Sequence, residues 1–302
     1  MKSSCVVGIL SEKGGVGKTT LTLLIALFLR YLGRKVLVVD MDPSGWSSLL
    51  LAYKEFLGGT FYEEVNPESK RESVLGLVEA YVNDEDILEL FAKSIRSSSL
   101  FEADDPYPIR YIPPSKGLGK FLSDDNNLND AFRLVLQDVV KSLPNLLRDT
   151  FIIVDTAPND KLMQWSAYNI AGFHGGAFVP IGNSLMDIQG SAITVDGLKR
   201  VGAPILALAP IGDRGLKTAQ RELEALSSLY RVLPVIPDMD SLANNKWVTS
   251  LRLPLRTIPA LTAICEILEI PCRTPELHRQ VEEARERGYL DVRIPLPLME
   301  KA

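Results

Sequence analysis

A glycine-rich segment near the start of the chain restricts the possible folds more than any other feature. Residues 10–20 read Leu-Ser-Glu-Lys-Gly-Gly-Val-Gly-Lys-Thr-Thr, between an apolar run at residues 5–10 and a longer apolar stretch at residues 21–32. The first run predicts a buried strand and the second a buried helix. A glycine-rich turn that joins a strand to a helix is typical of a phosphate-binding loop.

The residues of this turn are the types that phosphate binding requires. Glycines let the backbone curve closely around phosphate oxygens and direct its N–H groups at them. The following helix adds the partial positive charge of its N-terminus. Lys18 is expected to bind the β- and γ-phosphates of a nucleotide, and the Thr19 hydroxyl is expected to coordinate Mg²⁺. The predicted phosphate-binding residues are Gly14, Gly15, Val16, Gly17, Lys18, Thr19 and Thr20.

Downstream of this loop, apolar runs alternate with segments of helical spacing. Strands are predicted at residues 36–39, 109–112, 151–154, 176–180, 204–209 and 230–236. Helices are predicted at residues 47–57, 72–82, 85–95, 127–142, 161–171, 187–201 and 216–229. This alternation is typical of an α/β fold with a doubly wound, mostly parallel sheet flanked by helices. We expect one domain over residues 1–302, with a peripheral helical region around 58–108 and a mostly helical part around 240–302.

Charge and cysteine content exclude several classes of protein. The net charge of −5 argues against a basic nucleic-acid binder, although residues 191–260 carry a local charge of +3 and residues 41–130 carry −9. This asymmetry fits either a polyanion-binding face or ordinary solvated surfaces. The three cysteines lack CxxC spacing, which disfavours a disulfide framework or a zinc site and favours a reducing cytoplasm. No signal peptide or membrane-spanning run is evident, so no membrane partner is expected.

Three aspartates follow predicted strands, where ligands of parallel sheets bind. Asp40 and Asp42 follow the second strand, and Asp155 follows the strand at residues 151–154. An aspartate in this position beside a phosphate loop can hold Mg²⁺ through its water shell. A strand-terminal aspartate is also a common helix cap or turn residue.

The loop departs from the usual phosphate-binding pattern in an informative way. Glu12 replaces the first glycine, and the loop reads Lys-Gly-Gly-x-Gly-Lys-Thr-Thr with an additional lysine, Lys13. This resembles the deviant Walker A loop of the ParA/MinD/Soj ATPases. Residues 40–45, Asp-Met-Asp-Pro-Ser-Gly, and residues 155–158, Asp-Thr-Ala-Pro, are similar to two further motifs of that family. Pro180 and Gly190 resemble its later landmarks.

The resemblance implies a P-loop ATPase that uses ATP and Mg²⁺. Lys13 would reach the nucleotide of a partner subunit, so ATP would hold a homodimer together. Asp42 would position the attacking water, while Asp40 and Asp155 would support the Mg²⁺ shell through water, in the family manner. Hydrolysis in this family is slow and stimulated by a partner. Phosphoryl transfer needs positive charge at the developing oxyanions, which Lys13 would supply in trans.

The base-binding pocket is less clear in the sequence. The family builds it from loops after the later strands, which here contain Pro210 and, further on, Pro237, Asp238 and Met239. Either loop could instead be a simple connection.

Among the members of this family, the chain is most similar to a small ParA-type partition ATPase that segregates plasmid or chromosomal DNA. The loop begins ten residues into the chain, so no helix-turn-helix domain is expected before it. The resemblance implies non-specific DNA binding by the ATP-bound dimer, a ParB-type centromere-binding adaptor, and a cytoplasmic protein associated with the nucleoid or a plasmid. The candidate DNA-binding residues are Lys199, Arg200, Arg214, Lys217, Arg221, Lys246, Arg252 and Arg256.

Three other members of the fold remain as alternatives. A MinD-like membrane-positioning ATPase would end in a basic amphipathic helix, but residues 288–297 contain two prolines and little lysine. A metal-cluster carrier would need paired cysteines at the dimer interface, whereas Cys265 and Cys272 read as buried thiols. A small-molecule ligase usually lacks the first lysine of the loop, which Lys13 supplies here.

Overall fold

The phosphate loop lies at one end of a seven-stranded sheet in a computed structural model of the chain. The structure describes residues 5–52, 70–100, 108–115, 117–124, 130–182, 184–212, 220–237, 251–272, 275–288 and 291–294. The strands of the sheet are β1 (Cys5–Ile9), β2 (Lys35–Met41), β3 (Arg96–Ser97), β4 (Ile109–Ile112), β5 (Thr150–Thr156), β6 (His174–Ile181) and β7 (Ile205–Pro210). They are arranged in the order β3-β4-β2-β5-β1-β6-β7, and every pairing is parallel except that of β3 with β4.

Helices cover both faces of this sheet. The helices are α1 (Lys18–Tyr31), α2 (Trp46–Leu51), α3 (Val74–Val82), α4 (Ile87–Ser94), α5 (Leu118–Asp124), α6 (Ala131–Ser142), α7 (Asp160–Ile170), α8 (Leu185–Arg200), α9 (Gln220–Ser227), α10 (Ile258–Ile267) and α11 (Pro275–Glu286). Short 3₁₀ turns occur at Lys70–Glu72 and Leu255–Thr257. The mostly parallel sheet between two helical layers confirms the predicted fold class.

Alternate side chains of the central strands enter two separate cores. Val7 and Val38 pack with α1, α10 and α11 on one face of the sheet. Val6 and Val39 pack with α3, α4, α6, α7 and α8 on the other face. The strands are apolar in both directions because both of their faces are buried, which is why they read as continuous hydrophobic runs.

The parallel register places the predicted site residues at one edge of the sheet. Strand β1 lies between β5 and β6, and β5 lies between β1 and β2. Asp155 on β5 is in register with Ile9 on one side and with Asp40 on the other. The carboxyl ends of β1, β2 and β5 therefore meet at the phosphate loop.

Several predicted elements differ from the structure. The predicted strand at residues 230–236 makes only isolated bridges, from Val232 to Leu208 of β7 and from Ile236 to Ile211, which follows β7. Pro234 lies between these bridges and has no N–H group to donate, which explains the interruption. The part around 240–302 contains, besides α10 and α11, an antiparallel pair of strands, β8 (Leu251–Pro254) and β9 (Asp291–Ile294), that the sequence did not indicate.

The region around residues 58–108 has a larger role than a peripheral position implies. Within its described part, α3 places four side chains in the second core with no exposed surface, namely Val74, Leu75, Leu77 and Val78. The remainder of that region, residues 58–69 and 101–107, lies outside the described residues. That residues 1–302 form one domain stays a prediction.

Candidate nucleotide-binding site

Two glycines of the phosphate loop adopt a backbone conformation that other residues rarely take. Gly15 has a φ of 74° and Gly17 a φ of 89°. A side chain at Gly17 would also place its Cβ 2.8 Å from Cδ1 of Ile211, which follows β7. Helix α1 begins directly after Gly17, and the N–H of Leu21 donates to the Gly17 carbonyl over 2.9 Å. The loop therefore directs the N-terminus of α1 at the space above β1, as an anion site requires.

Lys18 is buried at the base of the loop. Its side chain is 6% exposed, and Nζ donates to the carbonyl oxygen of Lys13 over 2.8 Å. Burial lowers the pKa of Lys18, while the nearby carboxylates of Asp155 and Asp42 act in the opposite direction. Lys18 thus lies at the base of the loop, and its contact with a phosphate group stays a prediction.

One carboxylate oxygen of Asp155, next to the loop, accepts no hydrogen bond. Its Oδ1 accepts hydrogen bonds from the Thr22 hydroxyl (3.2 Å) and the Thr156 N–H (3.1 Å). Its Oδ2 is buried and accepts none. Burial, with the charge of Asp40 second, raises the pKa of Asp155 to about 7, and the Thr19 hydroxyl acts against this shift. A buried carboxylate oxygen without a partner beside a threonine hydroxyl fits a Mg²⁺ ion and its water shell.

Both carboxylate oxygens of Asp40 accept hydrogen bonds, unlike those of Asp155. Its Oδ1 accepts the N–H of Asp42 (3.1 Å), and its Oδ2 accepts both the N–H (2.9 Å) and the hydroxyl (2.8 Å) of Ser48. Burial raises the pKa of Asp40 to about 6, although the bonds from Ser48 partly oppose this. These bonds secure the segment from Asp42 to the first turns of α2.

Asp42 faces the open side of the site. A cavity of about 480 Å³ extends from the loop to Asp42, Trp46 and Pro158. Asp42 Oδ1 accepts the N–H of Ser44 over 2.8 Å, which closes the turn before α2. Trp46 is 57% exposed at the rim of this cavity. The volume is within the usual range for a small-molecule site.

The first residues of the loop contact α8. The Lys13 ammonium forms an ion pair with the Asp187 carboxylate, and both side chains are partly buried. The N–H of Glu12 donates to the Thr194 hydroxyl over 3.1 Å. The Lys13 side chain thus lies against α8, whereas Lys18 lines the cavity in front of the loop.

The sequence reasoning did not identify Asp187, Thr194, Ser48 or Thr22 as site residues. Ser184 and Asp187 match the Ser-x-x-Asp pattern of a capping box, which indicates where α8 begins. No pattern in the sequence links these residues to the loop, because their partners are distant in the chain. Glu12 and Thr194 are 182 positions apart.

The predicted base pocket is only partly described. Pro210 and Pro237 are buried, and the N–H of Ile236 donates to the Pro210 carbonyl over 2.8 Å. The two loops therefore lie side by side, and Ile211 brings them against Gly17 of the phosphate loop. Asp238 and Met239 lie outside the described residues, so base recognition by this group stays a prediction.

The structure describes the side chains of about half of the candidate DNA-binding residues. Lys199 and Arg200 end α8, and the ammonium of Lys199 lies 5.0 Å above the ring of Tyr230. The exposed Arg221 lies in α9, and the exposed Arg256 follows β8. Arg214, Lys217 and Lys246 lie outside the described residues, as does the side chain of Arg252. Arg200 is also close enough to Glu12 to lower its pKa, against the stronger effects of burial and of Asp160.

The alternative family members would need paired cysteines for a metal cluster or a segment that attaches to a membrane. Cys5, Cys265 and Cys272 are free and buried. A hydrogen bond with Cys272 and burial raise the pKa of the Cys265 thiol. Among the described residues, no group of three or more metal-binding side chains occurs, and no helix is long and apolar enough to cross a membrane.

Comparisons with known proteins agree with this geometry. Residues 4–199 match the AAA domain family. The chain is 30% identical over 167 residues to the chromosome partitioning protein ParA of Myxococcus xanthus, which covers 54% of this chain and 47% of that protein. The chain thus spans less than half the length of the curated relatives that it matches.

Two solved structures show the same fold. Apo McdA of Cyanothece superposes with a TM-score of 0.62 at 17% identity, covering 88% of this chain and 99% of that one. Cobyrinic acid a,c-diamide synthase of Mycobacterium smegmatis, with ADP and magnesium, gives 0.55 at 18% identity, covering 96% and 99%. With its two-lysine loop, its Asp-x-Asp-Pro-x-Gly segment and its family match, this chain belongs to the ParA-type ATPases with a deviant Walker A loop.

Proposed function

We propose that this chain is a partition ATPase that binds ATP with Mg²⁺, dimerises, and in the dimeric state binds DNA without sequence preference. The observation that carries this proposal is the opposite placement of the two loop lysines. Lys18 is buried against the loop, whereas the side chain of Lys13 is 32% exposed and pairs with Asp187 on α8. One lysine thus serves the subunit's own phosphate site, and the other is available to a second subunit.

The residues around the loop fit a magnesium–nucleotide complex. Mg²⁺, when bound, would neutralise charge on the β- and γ-phosphates. The Thr19 hydroxyl and the unpartnered Oδ2 of Asp155 would hold the ion, the latter through water. Asp40 supports the site less directly, because its bonds to Ser48 and to the N–H of Asp42 fix the segment that carries Asp42.

Hydrolysis requires a positioned water and positive charge on the transferring phosphoryl group. Asp42 lines the cavity in front of the loop and would orient the water there. Lys18 would supply positive charge from its own subunit, and Lys13 of a second subunit would supply the rest. A single subunit lacks that second charge, so turnover is slow until two subunits meet.

The basic side chains at the end of α8 and in α9 support the proposal that the dimer binds DNA. Lys199, Arg200 and Arg221 would contact phosphates rather than bases, which gives affinity without sequence preference. A centromere-binding adaptor of the ParB type would stimulate hydrolysis and release the dimer. We place the protein in the cytoplasm, on nucleoid or plasmid DNA.

The proposal is tested by DNA retention under different nucleotides. Wild-type protein is applied to immobilised non-specific DNA with ATP and Mg²⁺, with ADP and Mg²⁺, and without nucleotide. We expect retention with ATP only. The Asp42→Ala variant should be retained at least as long in ATP, because it binds nucleotide but does not hydrolyse it.

A charge reversal tests the proposed DNA face. Lys199→Glu should reduce retention about tenfold at moderate salt, since phosphate contacts are lost and a repulsive charge is added. Lys141→Glu is the matched control, because Lys141 is likewise an exposed lysine in the last turn of a helix.

Equal DNA retention in all nucleotide states would contradict the proposal that ATP controls DNA binding. Binding to anionic vesicles in place of DNA would favour a membrane-positioning ATPase.

A further inference from the structure

One face of α8 lies along the start of the phosphate loop. Asp187, Gly190, Thr194 and Gly197 follow one another at intervals of three and four residues, so they share this face. Gly190 lies beneath the Lys13 side chain, and a Cβ there would come within 3.3 Å of Lys13 Cδ. Helix α8 thus packs along the Lys13 side chain. Gly190 lies beside its methylene groups, and the Asp187 carboxylate pairs with its ammonium group.

We propose that Asp187 holds the Lys13 ammonium on its own subunit and so opposes dimerisation until a nucleotide-loaded partner arrives. Asp187 is then a positioning residue that sets how readily two subunits join. This inference rests on the proposed function, because it requires Lys13 to move to the nucleotide of a second subunit.

The position of Asp187 is defined by its neighbours. The Asp187 carboxylate accepts the N–H of Ser184 over 3.1 Å, and the Ser184 hydroxyl accepts the N–H of Asp187 over 3.2 Å. A side chain at Gly182 would collide with this carboxylate. Partial burial opposes the charge on Asp187, but the bonds from Lys13 and Ser184 outweigh it and lower its pKa. Asp187 is therefore a fixed, charged partner for Lys13 at neutral pH.

The same contacts show that the ion pair can open. The side chains of Lys13 and Asp187 are 32% and 17% exposed, so water reaches both groups. When Lys13 leaves, Asp187 keeps its hydrogen bond to Ser184 and part of its solvent contact, so no charge is left buried alone. Lys13 meanwhile gains a triphosphate, which carries more negative charge than one carboxylate.

The strength of such a pair sets the size of the effect. A partly exposed ion pair favours the paired position of a side chain over the unpaired position by roughly two- to fivefold. A symmetric dimer breaks two of these pairs, one in each subunit, and the biases multiply. Removal of the Asp187 charge should therefore tighten the dimer by about fourfold or more.

Asp187→Asn tests this effect. Asparagine keeps an oxygen that accepts the Ser184 N–H but removes the charge. The dimer dissociation constant is measured by sedimentation at saturating AMPPNP and Mg²⁺ for the wild type, Asp187→Asn and Lys13→Ala. We expect Asp187→Asn to lower this constant about fourfold or more and Lys13→Ala to raise it at least tenfold. Asp196→Asn is the matched control, since it removes an exposed carboxylate from the same helix, and it should leave the constant unchanged.

The outcomes separate the two proposals. If Lys13→Ala weakens the dimer but Asp187→Asn leaves it unchanged or weaker, the inference about Asp187 is wrong and the proposed function stands. If Lys13→Ala dimerises like the wild type, the proposed function itself fails.

A second measurement covers the case in which Asp187→Asn does not fold. The ammonium resonance of Lys13 in ¹⁵N-labelled wild-type protein, assigned by its loss in Lys13→Ala, should shift when AMPPNP and Mg²⁺ form the dimer. A resonance that is unchanged in the dimer would show that Lys13 stays on Asp187 and would overturn the inference.

Discussion

At the scale of single residues, the site combines groups whose charges are suppressed by burial with groups whose charges are available. Asp155 and Asp40 are fully buried, and burial raises the pKa of both into the range of 6 to 7. Lys18 is buried too, and burial lowers its pKa. Burial therefore disfavours the charged forms of these three side chains, and a bound metal ion and phosphates would favour them again.

The buried carboxylate of Asp155 makes stability depend on pH. The unfolded chain releases the Asp155 proton near pH 4, whereas the folded protein holds it until about pH 7. In the presence of a chelator, the free energy of unfolding should therefore fall as the pH rises from about 4 to 7. Asp155→Asn should remove much of this dependence and melt about 2 °C or more above the wild type at pH 8. It should also abolish the proposed Mg²⁺-dependent ATPase activity.

Differential scanning fluorimetry with chelator at pH 5 and pH 8 measures this prediction. Asp149→Asn is the matched control, because Asp149 is an exposed aspartate directly before the same strand. Asparagine also tolerates its positive φ of 57°. An equal effect of both substitutions at pH 8 would contradict the role assigned to the buried oxygen.

At the scale of secondary-structure elements, the phosphate loop is shaped by more than the strand and helix that flank it. Pro158, which follows β5, lies against Gly14, and Ile211, which follows β7, lies against Gly17. The Thr22 hydroxyl joins α1 to Asp155 on β5. The loop conformation thus depends on the packing of several strand ends around it.

The contact between Gly17 and Ile211 can be measured by substitution. Gly17→Ala adds the cost of a positive φ and a Cβ 2.8 Å from Ile211 Cδ1, so it should destabilise the protein by about 2 kcal/mol. Gly33→Ala is the control, because Gly33 has a φ of 70° and open space around it. We expect it to cost about 1 kcal/mol.

A double-mutant cycle with Ile211→Val isolates the contact, because valine lacks Cδ1. In the Ile211→Val background, the cost of Gly17→Ala in urea unfolding should fall by about 0.5 kcal/mol or more. Strictly additive effects would mean that Ile211 does not restrict the loop.

At the scale of the whole molecule, the proposed dimer would divide one reaction between two copies of the chain, with one loop lysine from each. The proposed dimer places Lys18 and Asp42 of one subunit and Lys13 of the other around the same nucleotide. Two variants that are each inactive should therefore complement each other, provided that they damage different halves of the shared site.

Mixing Lys13→Ala with Asp42→Ala tests this division. In a mixed dimer, the site of the Lys13→Ala subunit keeps its own Asp42 and receives an intact Lys13 from its partner. At protein concentrations well above the dissociation constants of all three dimers, equal amounts pair at random and about a quarter of the wild-type ATPase activity should return. Mixing Lys18→Ala with Asp42→Ala is the control and should restore none, because both residues act within one subunit. The absence of complementation in the first mixture would show that Lys13 acts on its own nucleotide.

The local order of residues determined the phosphate loop, the main strands and the fold class. Hydrophobic runs, the glycines of the loop and the aspartates after β2 and β5 are features of neighbouring residues, and their conformational preferences are largely local. Local sequence does not predict the isolated bridges at residues 230–236 or the pair β8–β9, because strand pairing depends on distant partners.

Only the tertiary structure decided how the site is held. The strand order brings Asp155 between β1 and β2, which buries its carboxylate and leaves one oxygen without a partner. The path of α8 across the loop brings Asp187 to Lys13 and Thr194 to Glu12. These contacts join segments far apart in the chain, and the charge, burial and reach of each group depend on which elements pack together.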